Sequence, residues 1–321
     1  MEFKYSKLTV AVSLVLGLMH SAAASASGYS MLDLGNVSAT ALNNKGQVVG
    51  NSYTINSSET FITGVNGVGM TSLDGIGRAD TGATSINASG QVVGYNIAGS
   101  DQSYGYITGP NGAGVTNLSL GGYNVVPTGI NASGQVVGYS STMGSSSAEA
   151  FITGPNGVGM TNLSLGGYNV IPTGINASGQ VVGYSFTMGS SRSEAFITGP
   201  NGVGITDLGG SGGYGTGATS INASGQVVGS YFTMGSNRSD AFITGTNGHS
   251  MTDLNSLVHL TGGDYFTSAA GINDKGQVIA QTVDGSAYLL TPTSAVPEPG
   301  KAGLLSVGLL ALALARKHTR R

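Results

Sequence analysis

The chain has 321 residues, no cysteine, no tryptophan and 55 glycines, with 8% charged residues and a formal net charge of -3. That length suffices for one large core, and the absence of cysteine excludes a disulfide scaffold. Seven of the 12 Lys and Arg residues lie in residues 1–26 and 301–321, leaving residues 27–300 with five basic against 14 acidic side chains, a net of -9 without the basic patch that nucleic acid or an anionic membrane requires.

In chain order, Lys4 and Lys7, the apolar run from Leu8 to Met19 and the small residues Ala24-Ser25-Ala26 read as a secretory signal over residues 1–26, with cleavage at Ala24 and Ala26. The alternative, an N-terminal membrane helix, fits less well because 12 apolar residues fall short of the roughly 20 needed to span. A chain that leaves the cytoplasm is expected.

The tetrapeptide Gly-Gln-Val-Val or a near copy then begins at Gly46, Gly90, Gly134, Gly179, Gly225 and Gly276, at intervals of 44, 44, 45, 46 and 51 residues. A β unit of that length cannot cover both faces of its own small sheet, so neighbouring units must cover each other. Each repeat opens with a strand ending in Asn, as in Ala83-Thr84-Ser85-Ile86-Asn87, followed by Ala88-Ser89-Gly90 and a return strand from Gln91 to Tyr95. This spacing predicts a hairpin in which Asn bonds its own backbone and Gly takes a positive φ. Asn43, Asn131, Asn176, Asn222 and Asn273 begin the same device; Asn-Ala-Ser also matches a glycosylation acceptor, and the turn is the preferred reading. A third strand carries an aromatic in every repeat: Phe61, Tyr106, Phe151, Phe196, Phe242 and Tyr288. A second glycine turn such as Pro155-Asn156-Gly157 leads to a fourth strand ending at Leu73, Leu118, Leu163, Leu208 or Leu254.

The last repeat lacks a fourth strand before Pro292, whereas Tyr29 to Gly35 reads as a fourth strand with no three before it. Pairing these two ends closes six four-stranded units into a ring, so an all-β, six-bladed β-propeller over residues 27–293 is expected. An open solenoid would require polar capping repeats. Inner strands such as Val136-Val137-Gly138 are apolar on both sides, as blades packed face to face demand, and the six aromatics read as core wedges rather than a binding ladder.

Residues 30–292 resemble the HAF family of extracellular repeats through Leu120-Gly121-Gly122, Gly129-Ile130-Asn131 and Gly134 to Ser140. The family's His before Ala-Phe is replaced by Glu149, Glu194 and Asp240, and the Trp often found two residues beyond the Phe is absent. The resemblance implies an exported repeat protein and no particular activity.

Residues 294–321 hold Val296-Pro297-Glu298-Pro299-Gly300, an apolar stretch from Ala302 to Ala315, and the basic end Arg316-Lys317-His318-Thr319-Arg320-Arg321. This order resembles the PEP-CTERM sorting signal of Gram-negative bacteria. The resemblance implies transient hold in the inner membrane by residues 302–315, a cytoplasmic basic tail, processing near Pro297-Glu298-Pro299 by an exosortase-type enzyme, and delivery to the cell surface or beyond. The alternative is a plain anchor that is never removed.

An up-and-down path through each unit puts both tight turns on one face and the longer connections on the other. Those connections carry Tyr123, Tyr168, Tyr214, Tyr265, Arg78, Arg192 and Arg238, which are the candidate ligand-binding residues. Tyrosine offers an apolar face and a hydroxyl suited to stacking on sugars, although the same residues can simply pack the loops. No catalytic residue, metal site or cofactor is assigned: His249 and His259 accompany no nucleophile motif, and no phosphate loop or zinc spacing occurs. The sequence thus points to a non-enzymatic surface or matrix protein that holds exopolysaccharide or another matrix component. The alternatives are a polysaccharide hydrolase or lyase and a coat protein without ligand.

Overall fold

The structure is a computed structural model that describes residues 28–53, 58–73, 81–98, 102–118, 123–141, 148–163, 168–186, 192–209, 215–233 and 238–293. The signal residues Ala24 and Ala26 and the motif Pro297-Glu298-Pro299 lie outside this set, as does the apolar stretch 302–315. Among the described residues no helix is long and apolar enough to cross a membrane.

Six four-stranded antiparallel sheets are arranged as the blades of a propeller. Blade one consists of Ser38–Leu42, Val48–Tyr53, Ser58–Thr63 and Met70–Ser72, and blades two to five begin at Thr81, Tyr123, Tyr168 and Thr216 in the same order. Blade six joins Phe266–Ile272, Val278–Thr282 and Ala287–Pro292 to Tyr29–Gly35, the first strand of the chain. Tyr29 pairs with Pro292 and Met31 with Leu290, so the expected closure of the chain's beginning onto its last repeat is present, in register.

The first strand of each blade faces the axis, and these strands touch around a complete circle. The Val-Val pair sits one strand further out and is fully buried, for example Val136 and Val137. Such strands are inner but not innermost, and their sides are covered by the neighbouring blades, which is why they read as continuous apolar runs.

Gly50, Gly94, Gly138, Gly183 and Gly229 follow the Val pairs and face Phe61, Tyr106, Phe151, Phe196 and Phe242 across the sheet. A Cβ at Gly138 would overlap the Val126 carbonyl and press on the Phe151 ring. Glycine therefore lets a large ring lie flat over the strand, and all five rings are buried. Tyr106 keeps its hydroxyl satisfied by donating to the Gly82 carbonyl at 3.2 Å, and burial pushes its phenol pKa up. Blade six has Ala280 where the others have glycine, and its partner Tyr288 is only half-buried, packed edge-on to the buried Phe266.

The Asn-led turns carry a second layer of order. In Asn131, Oδ1 accepts from the amides of Ser133 and Gln135 at 3.1 and 3.0 Å, while Nδ2 donates to Gln135 Oε1 at 2.8 Å. The same Nδ2 donates to the Asn176 carbonyl of the next blade at 3.2 Å. Equivalent cross-blade bonds of 3.0–3.2 Å run from Asn43 to Asn87, Asn87 to Asn131, Asn176 to Asn222, Asn222 to Asn273 and Asn273 back to Asn43. All six asparagines are buried, and their amide nitrogens are engaged on the protein interior, so the glycosylation reading of Asn-Ala-Ser is set aside.

A parallel ring of hydroxyls runs one layer deeper. Thr40, Thr84, Thr128, Thr173 and Thr219 each donate to a carbonyl of the next blade, those of Ala83, Pro127, Pro172, Ala218 and Ala269. Blade six has Ala270 at this position, so that ring is open at the seam between the two ends of the chain. The seam has its own substitute: Asn44 Nδ2 donates to Asp274 Oδ2 at 2.5 Å and the Asp274 amide donates to Asn44 Oδ1 at 2.8 Å. The four middle repeats have alanine at this turn position.

Completing the open ring should stabilise the fold. Ala270→Thr places a hydroxyl where it can donate to the Ala39 carbonyl, and a net gain of about 1 kcal/mol is expected. Thermal unfolding should show a Tm rise of about 2–4 °C, and an unchanged or lower Tm would contradict the assignment.

Candidate functional site

In blades one to five the two tight turns bond to one another, as in Gly157 N–H donating to the Gly134 carbonyl at 3.0 Å, which places both on one face. Strand direction therefore brings the ends of the longer connections together on the opposite face. Among the candidate residues, Tyr214 and Arg78 lie outside the described set. Tyr123 and Tyr168 are not loop residues: they begin the axial strands of blades three and four and pair with Ser141 and Phe186, their side chains outside what is described. Arg192 is exposed beside the third strand of blade four.

Only Tyr265 and Arg238 are brought together among the described candidates. The guanidinium carbon of Arg238 sits 3.7 Å from the centroid of the Tyr265 ring, and its Nε donates to Asp240 Oδ1 at 2.6 Å. Asp240 is buried, at 5% exposure, and also accepts from Thr233 Oγ1 at 3.2 Å and Asn255 Nδ2 at 3.3 Å. Asn255 in turn closes a two-bond pair with Phe266, accepting its amide at 2.7 Å and donating to its carbonyl at 3.0 Å. Asp253 accepts from the Asn255 amide at 2.8 Å and fixes the start of the short helix Leu254–Ser256.

These contacts explain the local electrostatics. The hydrogen bond to Asp240 holds the Arg238 guanidinium above its ordinary pKa. Burial, then the carboxylates of Asp253 and Asp240, raise the Tyr231 phenol. The result is a planar cation, 43% exposed, held between a buried carboxylate and an aromatic face.

The supporting residues Asp240, Asn255 and Thr233 are not singled out by sequence reasoning, because Glu149, Glu194 and Asp240 occupy equivalent places before Ala-Phe. Glu149 and Glu194 are exposed, and only Asp240 is covered. The cover is the connector 254–265, whose Leu254 and Val258 are buried and whose Leu257 and Leu260 pack on the same cluster. A signal was present: this connector accounts for the longest interval between repeats, 51 residues, and its apolar residues recur at three- and four-residue spacing.

The axial channel is a cavity lined in part by Thr40, Thr84, Thr128, Thr173 and Thr219. Its threonine hydroxyls already donate to carbonyls, so it offers little to a ligand. His249 caps a tight turn and His259 lies in the connector, both exposed. Among the described residues no three His, Cys, Asp or Glu side chains gather as a metal site.

Fold and site together define a six-bladed β-propeller whose long-connection face carries, among the described residues, a built cation on aromatic pair. No protein-family model matches the chain, and no curated protein matches it. Among solved structures, TolB of Acinetobacter baumannii is similar, with TM-score 0.55 and 12% identity over 77% of this chain and 63% of that one. A TolB structure from Agrobacterium tumefaciens gives TM-score 0.52 and 11% identity over 70% and 80% of the two chains. A gluconolactonase of Xanthomonas campestris gives TM-score 0.51 and 11% identity over 83% and 90%. The chain spans less than two thirds of the Acinetobacter protein, and at these identities the likeness shows the fold alone.

The cluster around Asp240 predicts an order of effects. Asp240→Ala removes the acceptor shared by Arg238, Thr233 and Asn255 from a buried position and should lower stability by about 2 kcal/mol, whereas Arg238→Ala leaves Asp240 two donors and should lower it by about 1 kcal/mol or less. Urea unfolding of the two variants checks this, and the reverse order would contradict it.

Proposed function

We propose that this is a non-enzymatic exported protein of the cell surface or extracellular matrix that retains polysaccharide on its long-connection face. The observation that carries the reading is Arg238 fixed against Tyr265 by Asp240. A tyrosine ring beside a positioned guanidinium suits a sugar ring and its hydroxyls: the aromatic face takes the apolar side of the ring, and N–H donors take hydroxyl oxygens. The residues at or towards that face narrow the polymer. They include Asp33, Glu59, Glu149, Glu194, Asp264 and Asp284, against Arg192 and Arg238. Such a surface repels polyanions, so the ligand class is a neutral or amine-bearing polysaccharide.

Export is supported by the signal pattern of residues 1–26 and by the sorting-tail pattern of residues 294–321, with an exosortase-type enzyme as the processing partner and the inner membrane as a transient one. Neither a cofactor nor nucleic acid is part of the proposal.

The test is to incubate residues 27–300 with neutral, amine-bearing and uronate-rich polysaccharides, then measure co-sedimentation and release of reducing or unsaturated ends. Retention of the first two classes without release is expected, and Tyr265→Ala should weaken it at least fivefold with Tm nearly unchanged. Release of ends would make the protein a polysaccharide hydrolase or lyase, and absence of retention would leave a coat protein without ligand; either outcome overturns the proposal.

A further inference from the structure

The ends of the described chain leave the disc side by side and from a defined face. Blade six has no tight turn between its third and outer strands; instead Thr291 and Pro292 pair with Ser30 and Tyr29. The Thr293 amide donates to the Gly28 carbonyl at 2.6 Å. An added Cβ at Gly276, in the Asn-led turn of blade six, would lie 3.3 Å from Pro292. Both ends therefore emerge at the tight-turn face, and the apolar stretch from Ala302 to Ala315 is joined to that face through residues 294–301. Eight extended residues reach at most about 29 Å.

That face differs from its opposite in two further ways. Its rim exposes apolar side chains beside the glycine turns: Val65 at 56%, Val68 at 69%, Met70 at 50%, Val158 at 72%, Val203 at 71% and Ile205 at 43%. Scattered exposed valines need no explanation, but Val68, Val158 and Val203 hold the same place in blades one, three and four, where blades two and five have Ala113 and His249, and together they form a partial rim. The charge is also separated. Lys45 and Lys275 stand with Asp274 in the turns near the axis, all exposed, whereas the other described carboxylates lie at or towards the opposite face. The net deficit of basic residues in the domain hides this separation.

From this we propose that the tight-turn face is a lipid-docking surface: while the C-terminal segment is in the membrane, the disc lies with its valine rim and Lys45 and Lys275 against the bilayer. The acidic long-connection face, with Arg238 and Tyr265, then points away from the lipid. The inference rests on the reading of residues 302–315 as a membrane segment, which supplies the tether. The face it presents follows from strand direction. Apolar rim residues enter the headgroup region, and the two lysines meet anionic headgroups, while the acidic half is repelled to the far side.

The chain has no cysteine, so single labels can be placed without background. The full chain is reconstituted with vesicles of phosphatidylethanolamine and phosphatidylglycerol that carry a headgroup quencher. A fluorophore is attached at Val158→Cys, Val203→Cys, Glu149→Cys or Glu194→Cys. Quenching at 158 and 203 should exceed that at 149 and 194 at least threefold. Equal or reversed quenching in chains that float with the vesicles overturns the docking face while leaving the anchor intact. Chains that fail to float overturn the anchor and the docking face together. A second arm uses a label at Lys45→Cys: adding Val68→Asp and Val203→Asp should halve its quenching in floating chains, and unchanged quenching would overturn the part given to the rim.

Discussion

The closed circle of asparagine side chains is the interaction on which the rest of this structure depends. Each amide does two things: its oxygen builds the turn of its own blade, and its nitrogen reaches the backbone of the next. Turn formation and blade adjacency are therefore set by one buried group. The geometry closes only if the last blade meets the first, which it does through Asn273 and Asn43 at 3.0 Å. Repeat arrays gain stability from neighbour contacts, and a ring supplies every repeat with two neighbours.

The pairing of the chain's first strand with Ala287–Pro292 secures the same closure at the outer edge. Blade six departs from the others at several points: Ala270 for threonine, Ala280 for glycine, and an Asn44 with Asp274 pair where the middle repeats have alanine. These departures collect where the two ends of the chain must find each other. A polar pair present only there favours correct closure over pairing with a middle repeat.

Much of this was legible in the sequence because it rests on local chemistry. The Asn-to-Gly turns, the Val-Val strands and the aromatic of each third strand announce themselves by residue type and period, and the unmatched strand at Tyr29 announces closure. What was not legible depends on side chains meeting across a whole repeat. The destination of the asparagine Nδ2 is a carbonyl 44 to 51 residues further on, or 230 residues back for Asn273. Likewise Arg192 and Arg238 each stand two residues before an acid, and it is the connector of residues 254–265 that buries the acid beside Arg238 while Glu194 stays exposed. Tyr123 and Tyr168 looked like loop residues, yet the strand pairing extends to include them. The ends of the described chain and the exposed valines beside the glycine turns fall on one face of the disc, and the aromatic and guanidinium pair on the other, both as consequences of one strand polarity.

The central claim is tested most directly at Asn131, where Asn131→Asp keeps the oxygen that forms the turn and removes the donors that link blade three to blade four and to Gln135. Urea unfolding of the domain should show a single transition that is destabilised by about 2–4 kcal/mol relative to the parent, because a buried carboxylate then faces two acceptors. A loss below about 0.5 kcal/mol, within the range of an ordinary surface substitution, would contradict the account.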